Sequence, residues 1–136
     1  IIKRYDAVCD ELGFGHLCHH TKEMDSSNHL YLIRIPEFNM DMRNQFIEKM
    51  YEHGVATNVH YKPLPMMTGY RNLGWDIKDF PNSFAYYENL VSIPLHTLLT
   101  DSDIDHVCNA MRAVIKEFQN GSFYHTELET VKSSFE

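Results

Sequence analysis

Gly54-Val55-Ala56-Thr57-Asn58-Val59-His60-Tyr61-Lys62-Pro63-Leu64 decides how this chain is read. Gly54 closes a helical pattern, in a position that favours the left-handed conformation. Val55 to His60 then alternates as a strand does: Val55, Thr57 and Val59 on one face, Ala56, Asn58 and His60 on the other. Pro63 and Pro65 stop it. His60-Tyr61 is thereby carried to a strand end, facing a proline-stiffened loop. Alternation sends the two rings to opposite faces, and a backbone turn at the strand end lets both reach a cleft. On residue chemistry alone the plainer reading is a core tyrosine beside an edge histidine, because ring residues are common in strands.

Working outward, Met42 to His53 has the 3.6-residue period of a helix, with Met42, Phe46, Ile47, Met50 and Tyr51 as its buried stripe. Asn39 or Asp41 can cap its N-terminus. Asn28 to Ile35 (NHLYLIRI) reads as a strand ended by Pro36, apolar on both faces. Phe14 to Ser27 is a polar, His-rich connector, and Tyr5, Val8, Cys9 and Leu12 mark a first helix ended by Gly13. That helix begins without a capping residue and the chain without Met, so the expectation is a piece of a longer protein.

Downstream, 64–79 is a loop with one helical turn around Met67 to Leu73. Pro81 opens a helix to about Asn89. Leu90 to Ile93 is a short third strand before Pro94. Thr100-Asp101-Ser102-Asp103 resembles a capping box, with an acid one carbon shorter than usual at its far end. Behind it, Ile104, Val107, Cys108, Met111, Val114, Ile115 and Phe118 form an unbroken helical stripe up to Gly121. Ser122 to Glu136 is polar and expected to fray. The expected fold class is α+β: a small three-stranded sheet covered by about four helices.

The 136 residues suit one domain with a core of its own. A net charge of −7 and the lack of any Lys/Arg run argue against a nucleic-acid surface. No apolar run approaches the roughly 20 residues that span a bilayer, and no signal-peptide pattern opens the chain. Cys9, Cys18 and Cys108 are an odd set, read as free buried thiols in a reducing cytoplasm.

Other candidate chemistry is weaker. His16, Cys18, His19 and His20 crowd into five residues, whereas zinc takes four ligands, usually as two spaced pairs. Gly13-Phe14-Gly15 follows a helix and lacks the third glycine of a dinucleotide loop. There is no phosphate loop and no nucleophile elbow. Lys62, beside Tyr61 and Pro63, is expected in solvent, and no lysine looks like a cofactor anchor. Asp101, Asp103 and Asp105 are explained by the dipole of the helix they open.

With His60-Tyr61 placed, the chain resembles the C-terminal small domain of the DegT/StrS family of aminotransferases, pyridoxal-phosphate enzymes that make amino sugars on nucleotide carriers. The resemblance is carried by His29-Leu30-Tyr31, Arg43, Gly54-Val55 through His60-Tyr61 with Pro63-Leu64, and Gly69-Tyr70-Arg71 with Gly74. It continues through Phe80-Pro81, Ser92-Ile93-Pro94-Leu95, and Leu99-Thr100-Asp101 before Ile104 and Val107. It covers about residues 1–118 as the small domain and leaves 119–136 as a polar tail.

The resemblance implies a fold type I enzyme whose absent N-terminal large domain holds the cofactor through a Schiff-base lysine, with a homodimer completing the site. The small domain closes one side of the cleft, and the residues matching His60 and Tyr61 lie near the cofactor–substrate adduct. The expectation is thus a cytoplasmic sugar-nucleotide aminotransferase fragment, in amino-sugar or surface-polysaccharide biosynthesis. It binds a nucleotide-sugar substrate through His60 and Tyr61, receives its amine from a donor such as glutamate, and has no catalytic, cofactor-binding or metal residues of its own. Pyridoxal phosphate belongs to the full-length enzyme, and the fragment, lacking the cofactor lysine, should be inactive and bind none. The alternatives are a stand-alone binding module of the same fold, the small domain of a pyridoxal-dependent sugar dehydratase, or a metal-binding protein built on the His/Cys connector.

Overall fold

The computed structural model describes residues 1–121; the tail expected to fray, 122–136, lies outside the described residues. The element order is α1 (Ile2–Leu12), β1 (Gly15–His16), β2 (Tyr31–Arg34), α2 (Met40–Glu52), α3 (Thr68–Asn72), α4 (Pro81–Tyr87), β3 (Leu90–Ile93) and α5 (Asp101–Gln119), with single 3₁₀ turns at Leu64–Met66 and Ile77–Asp79. The sheet is antiparallel in the order β1-β2-β3. Tyr31 faces Ile93, Leu32 faces Ser92 and Ile33 faces Val91 across the β2–β3 ladder. This is the expected α+β class, with helices packed on a three-stranded sheet.

Membership of the sheet differs from expectation. Val55 to His60 is not a strand; it is extended backbone that meets β3 at one isolated bridge, Asn58 to Ser92. The third strand is instead β1, drawn from the connector. Alternating side chains are necessary for a strand but do not supply a partner edge. Of the described backbone groups in this segment, only those of Asn58 bond to β3 (Ser92 N–H to Asn58 O 2.7 Å, Asn58 N–H to Ser92 O 3.1 Å).

The core lies between the sheet and α1, α2 and α5. Tyr5, Tyr31, Ile33, Phe46, Met50, Val91, Met111 and Val114 are fully buried. In β2 the buried residues are Tyr31 and Ile33, followed by Ile35, while Leu32 is only half-buried, so one face dominates. Tyr51 is a second correction: at 76% exposed it lies outside the α2 stripe. Arg43 on the same helix is buried, its guanidinium 4.9 Å from the Tyr87 ring and near the carbonyls of Tyr87 and Leu90.

The helix ends follow the sequence closely. Asn39 accepts from the Met42 N–H at 2.9 Å and starts α2. At the other end Gly54 takes φ 76°, and the Gly54 and Val55 N–H groups bond back to Tyr51 and Met50. That arrangement satisfies the last carbonyls and drops Val55 into the core. The Tyr5 hydroxyl donates to the Pro94 carbonyl at 2.8 Å and ties α1 to the end of β3. Arg4 bridges to Asp101 and Asp105, and Arg112 grips Glu11, both between α1 and α5. These pairs are exposed and fix register more than they stabilise.

Thr100 and Asp103 form a complete capping box: the Thr100 N–H and hydroxyl donate to the Asp103 carboxylate at 2.8 and 2.7 Å, and the Asp103 N–H returns to the Thr100 oxygen. The Thr100 hydroxyl, then the Thr100 N–H, hold the Asp103 carboxyl below its ordinary range. Thr100→Ala is expected to cost about 1 kcal/mol in urea unfolding. Because the folded value is depressed, the carboxylate's contribution is present above the ordinary Asp value and lost as pH falls through the folded one. The Thr100→Ala deficit should therefore shrink in acid; a deficit independent of pH would disprove the coupling.

Cys9 and Cys108 are buried free thiols, and burial pushes Cys9 up to about 11 and raises Cys108 as well. Cys18, expected to be buried, is exposed and donates to the His20 carbonyl at 3.3 Å.

Candidate substrate-facing site

The segment after α2 is steered by its attachment to β3. Gly54 reverses the chain, Val55 anchors it, and the Asn58–Ser92 bridge lays it along the strand. Two residues on, the His60 Nδ1 lies 2.7 Å from the Ser92 hydroxyl. The His60–Tyr61 peptide is cis, and the two rings meet edge to face with centroids 4.7 Å apart. The structure thus brings together the two rings that strict alternation would separate. Tyr61 is 67% exposed and His60 half-buried. His60 Nε2 has no hydrogen-bond partner among the described residues and is not among the buried unpartnered polar atoms, so solvent reaches it. The core-tyrosine reading is excluded. The pair forms a rim with one ring nitrogen and one phenol available to a ligand.

Beyond Tyr61 the chain builds an open pocket of about 450 Å³ whose walls include Lys62, Arg71, Trp75 and Asp76. Trp75 stacks on Phe80 at 5.5 Å, the planes 8° apart, and Tyr70 meets Trp75 edge-on at 6.0 Å. Asp76 spends its carboxylate partly on the Lys78 N–H. Of the twelve exposed large hydrophobic side chains among the described residues, seven (Tyr61, Leu64, Met67, Leu73, Trp75, Phe80 and Tyr86) fall within 61–86.

The His/Cys connector resolves into separate pairs. His16 faces Asp6 and Asp10 at 3.3 and 3.2 Å, His20 faces Asp25 at 3.0 Å, and buried His19 meets the Ser26 hydroxyl at 2.9 Å and stacks on Tyr31. Among the described residues no three His, Cys, Asp or Glu side chains converge as metal ligands. Lys62 is exposed, as expected. Residue-by-residue reading missed two contributors. Ser92 had a signal, since a serine inside the buried strand Leu90-Val91-Ser92-Ile93 must find a hydrogen-bond partner. The Arg71–Trp75 pocket had none, because it depends on the path of a loop.

The domain presents a histidine–tyrosine rim next to a pocket lined by Lys62, Arg71, Trp75 and Asp76. Residues 1–112 match the DegT/DnrJ/EryC1/StrS aminotransferase family, and the chain belongs to it. The fold superposes on Spr1654 of Streptococcus pneumoniae, assigned as a sugar aminotransferase, with TM-score 0.84 and 36% identity over 89% of this chain and 30% of that one. Spr1654 is known in apo, pyridoxamine-phosphate and pyridoxal-phosphate forms. Among curated relatives, the spore coat polysaccharide biosynthesis protein SpsC of Bacillus subtilis is 32% identical over 91 residues, 65% of this chain and 23% of SpsC. The UDP-4-amino-4,6-dideoxy-N-acetyl-β-L-altrosamine transaminase of Helicobacter pylori is 25% identical over 116 residues, 85% of this chain and 30% of that protein. The chain thus spans less than a third of the length of these relatives. No helix among the described residues is long and apolar enough to cross a membrane.

The described residues do not fit a pyridoxal-phosphate holder. The group needs a lysine amine placed in a protected cleft and a cup of donors for its phosphate. Among the described residues Lys3, Lys22, Lys62, Lys78 and Lys116 are all exposed, and Lys49 is engaged with Glu52. No step of any reaction is therefore assigned to the cofactor on these residues.

Proposed function

We propose that this chain is the small domain of a pyridoxal-phosphate-dependent aminotransferase acting on a keto-sugar nucleotide, a cytoplasmic enzyme of amino-sugar or surface-polysaccharide synthesis. The observation that carries the reading is the His60-Tyr61 rim, held from β3 with an unpartnered Nε2 and an exposed phenol. In this role both groups hydrogen-bond oxygens of the sugar nucleotide and orient it. Lys62 and Arg71 supply positive charge for phosphate oxygens, an interaction stronger than a neutral hydrogen bond. The exposed apolar side chains Leu64, Met67, Leu73, Phe80 and Tyr86, outside the rim and the pocket wall, are the face that meets the large domain or the second subunit, since patches of this kind are uncommon on free monomers. The cofactor, its lysine and the amino-donor chemistry belong to that large domain. The isolated chain is inactive.

The test is His60→Ala in the enzyme that contains this domain. Losing one hydrogen bond to a charged or polar oxygen is expected to lower kcat/KM for the keto-sugar nucleotide about tenfold to a hundredfold. Cofactor absorbance and the half-reaction with glutamate should be unchanged. Unaltered sugar kinetics would remove His60 from the cleft.

A further inference from the structure

Ser92 is 5% exposed, and every other residue of β3 is buried and apolar. Its backbone is held from both sides, by the β2 register opposite Leu32 and by the paired bonds to Asn58. The side chain therefore has little freedom, and among the described residues its hydroxyl has one partner, His60 Nδ1 at 2.7 Å.

A hydroxyl has one hydrogen to donate, and a neutral imidazole has one donor and one acceptor nitrogen. If Nδ1 carried the ring hydrogen and donated to Ser92, the buried hydroxyl would have no acceptor for its own. Leaving a buried donor unpaired is disfavoured about tenfold or more in population. The opposite arrangement satisfies everything: the hydroxyl donates to a bare Nδ1, and the ring hydrogen resides on Nε2. That nitrogen is the solvent-accessible one, on the ring that meets Tyr61 edge to face.

We propose that Ser92 is a positioning residue, whose hydroxyl fixes the neutral His60 tautomer with its hydrogen on Nε2. The rim is then a pair of donors, His60 Nε2–H and the Tyr61 phenol, matched to an oxygen acceptor. The tautomer follows from this chain's geometry alone; that the acceptor belongs to a sugar nucleotide rests on the function proposed above. Serine acts here at a distance from the ligand, through the ring it orients, as the outer partners of metal-bound histidines do.

The first measurement is the nitrogen-15 spectrum of the histidine rings in the 136-residue chain at about pH 8.5, two units above the ordinary imidazole value. His60 should give one protonated Nε2 and one bare Nδ1. Ser92→Ala should turn this into a tautomer mixture, and Ser92→Thr, which keeps the hydroxyl, should restore it. A wild-type ring protonated at Nδ1 overturns the proposal, as does an unchanged tautomer in Ser92→Ala. Should Ser92→Ala fail to fold, the wild-type spectrum decides alone.

The second measurement is kinetic, in the enzyme containing this domain. Ser92→Ala should raise KM for the sugar nucleotide about threefold to tenfold, leave the glutamate half-reaction unchanged, and be rescued by Ser92→Thr. A sensitive His60→Ala with an indifferent Ser92→Ala refutes the positioning role alone. An Nε2 tautomer together with an indifferent His60→Ala refutes the cleft assignment and leaves the Ser92–His60 geometry standing.

Discussion

Tyr31→Ala is expected to destabilise the domain by about 3–5 kcal/mol, the largest effect of any single truncation in β2. The ring is 0% exposed and packs edge-on against Tyr5 at 5.1 Å and face-on against His19 at 5.3 Å. Its hydroxyl donates to the Asp6 carboxylate at 2.6 Å. Burial, and then the bond to Asp6, push the Tyr31 phenol well above its ordinary value, so it remains a neutral donor throughout the working range. Truncation leaves a cavity and an Asp6 carboxylate that keeps His16 at 3.3 Å but loses its shortest hydrogen bond. Against a typical total stability of about 5–15 kcal/mol, the loss is large. The midpoint of thermal unfolding should fall by roughly 15 °C. Tyr31→Phe separates the terms: it keeps the ring and removes one bond to a charged acceptor, for about 1.5–3 kcal/mol. Should Tyr31→Phe cost as much as Tyr31→Ala, the hydroxyl rather than the packing would be the dominant contribution.

Phe46→Ala is expected to cost a similar amount, about 3–5 kcal/mol. Phe46 is 0% exposed, and Phe14 and Phe38 meet it edge-on at 6.3 and 6.4 Å. Phe38 in turn lies 4.9 Å from Phe118 at the end of α5. Aromatic pairs of this geometry add about 0.5–1.5 kcal/mol beyond area burial. The urea midpoint should fall while its slope is unchanged, because the same surface is exposed on unfolding. Phe46→Leu should recover more than half of the loss. A cost below about 1 kcal/mol for Phe46→Ala would mean that the three rings do not form a shared core.

Local physics made much of this fold legible. The α5 stripe, the Thr100–Asp103 box, the Asn39 cap and the Gly54 turn each depend on residues within one helical turn of each other. β3 was legible because four apolar-to-small residues lie between a helix and Pro94. Long-range choices were not. Val55 to His60 has a strand's alternation, yet pairs with β3 at one position only. Gly15-His16 has no strand pattern, yet joins the sheet because Ile33 and Arg34 offer it an edge. Tyr51 fits the helical period and still faces solvent, since period fixes a face and not what covers it. At the candidate site, His60 and Tyr61 were found by resemblance, whereas their meeting on one side is a property of the backbone path that side-chain alternation does not encode.

Val91 and Ile93 point their side chains into the core from the same four-residue strand that holds Ser92 and, through it, His60. On the role proposed for His60, thermal robustness and ligand discrimination would therefore draw on one short ribbon of backbone. A substitution made at Val91 or Ile93 to harden the protein will also re-aim the imidazole, and stabilised variants picked by heating alone should drift in selectivity. Efforts to retune selectivity have freer ground at Tyr61 and Trp75, whose rings touch solvent and leave that ribbon undisturbed.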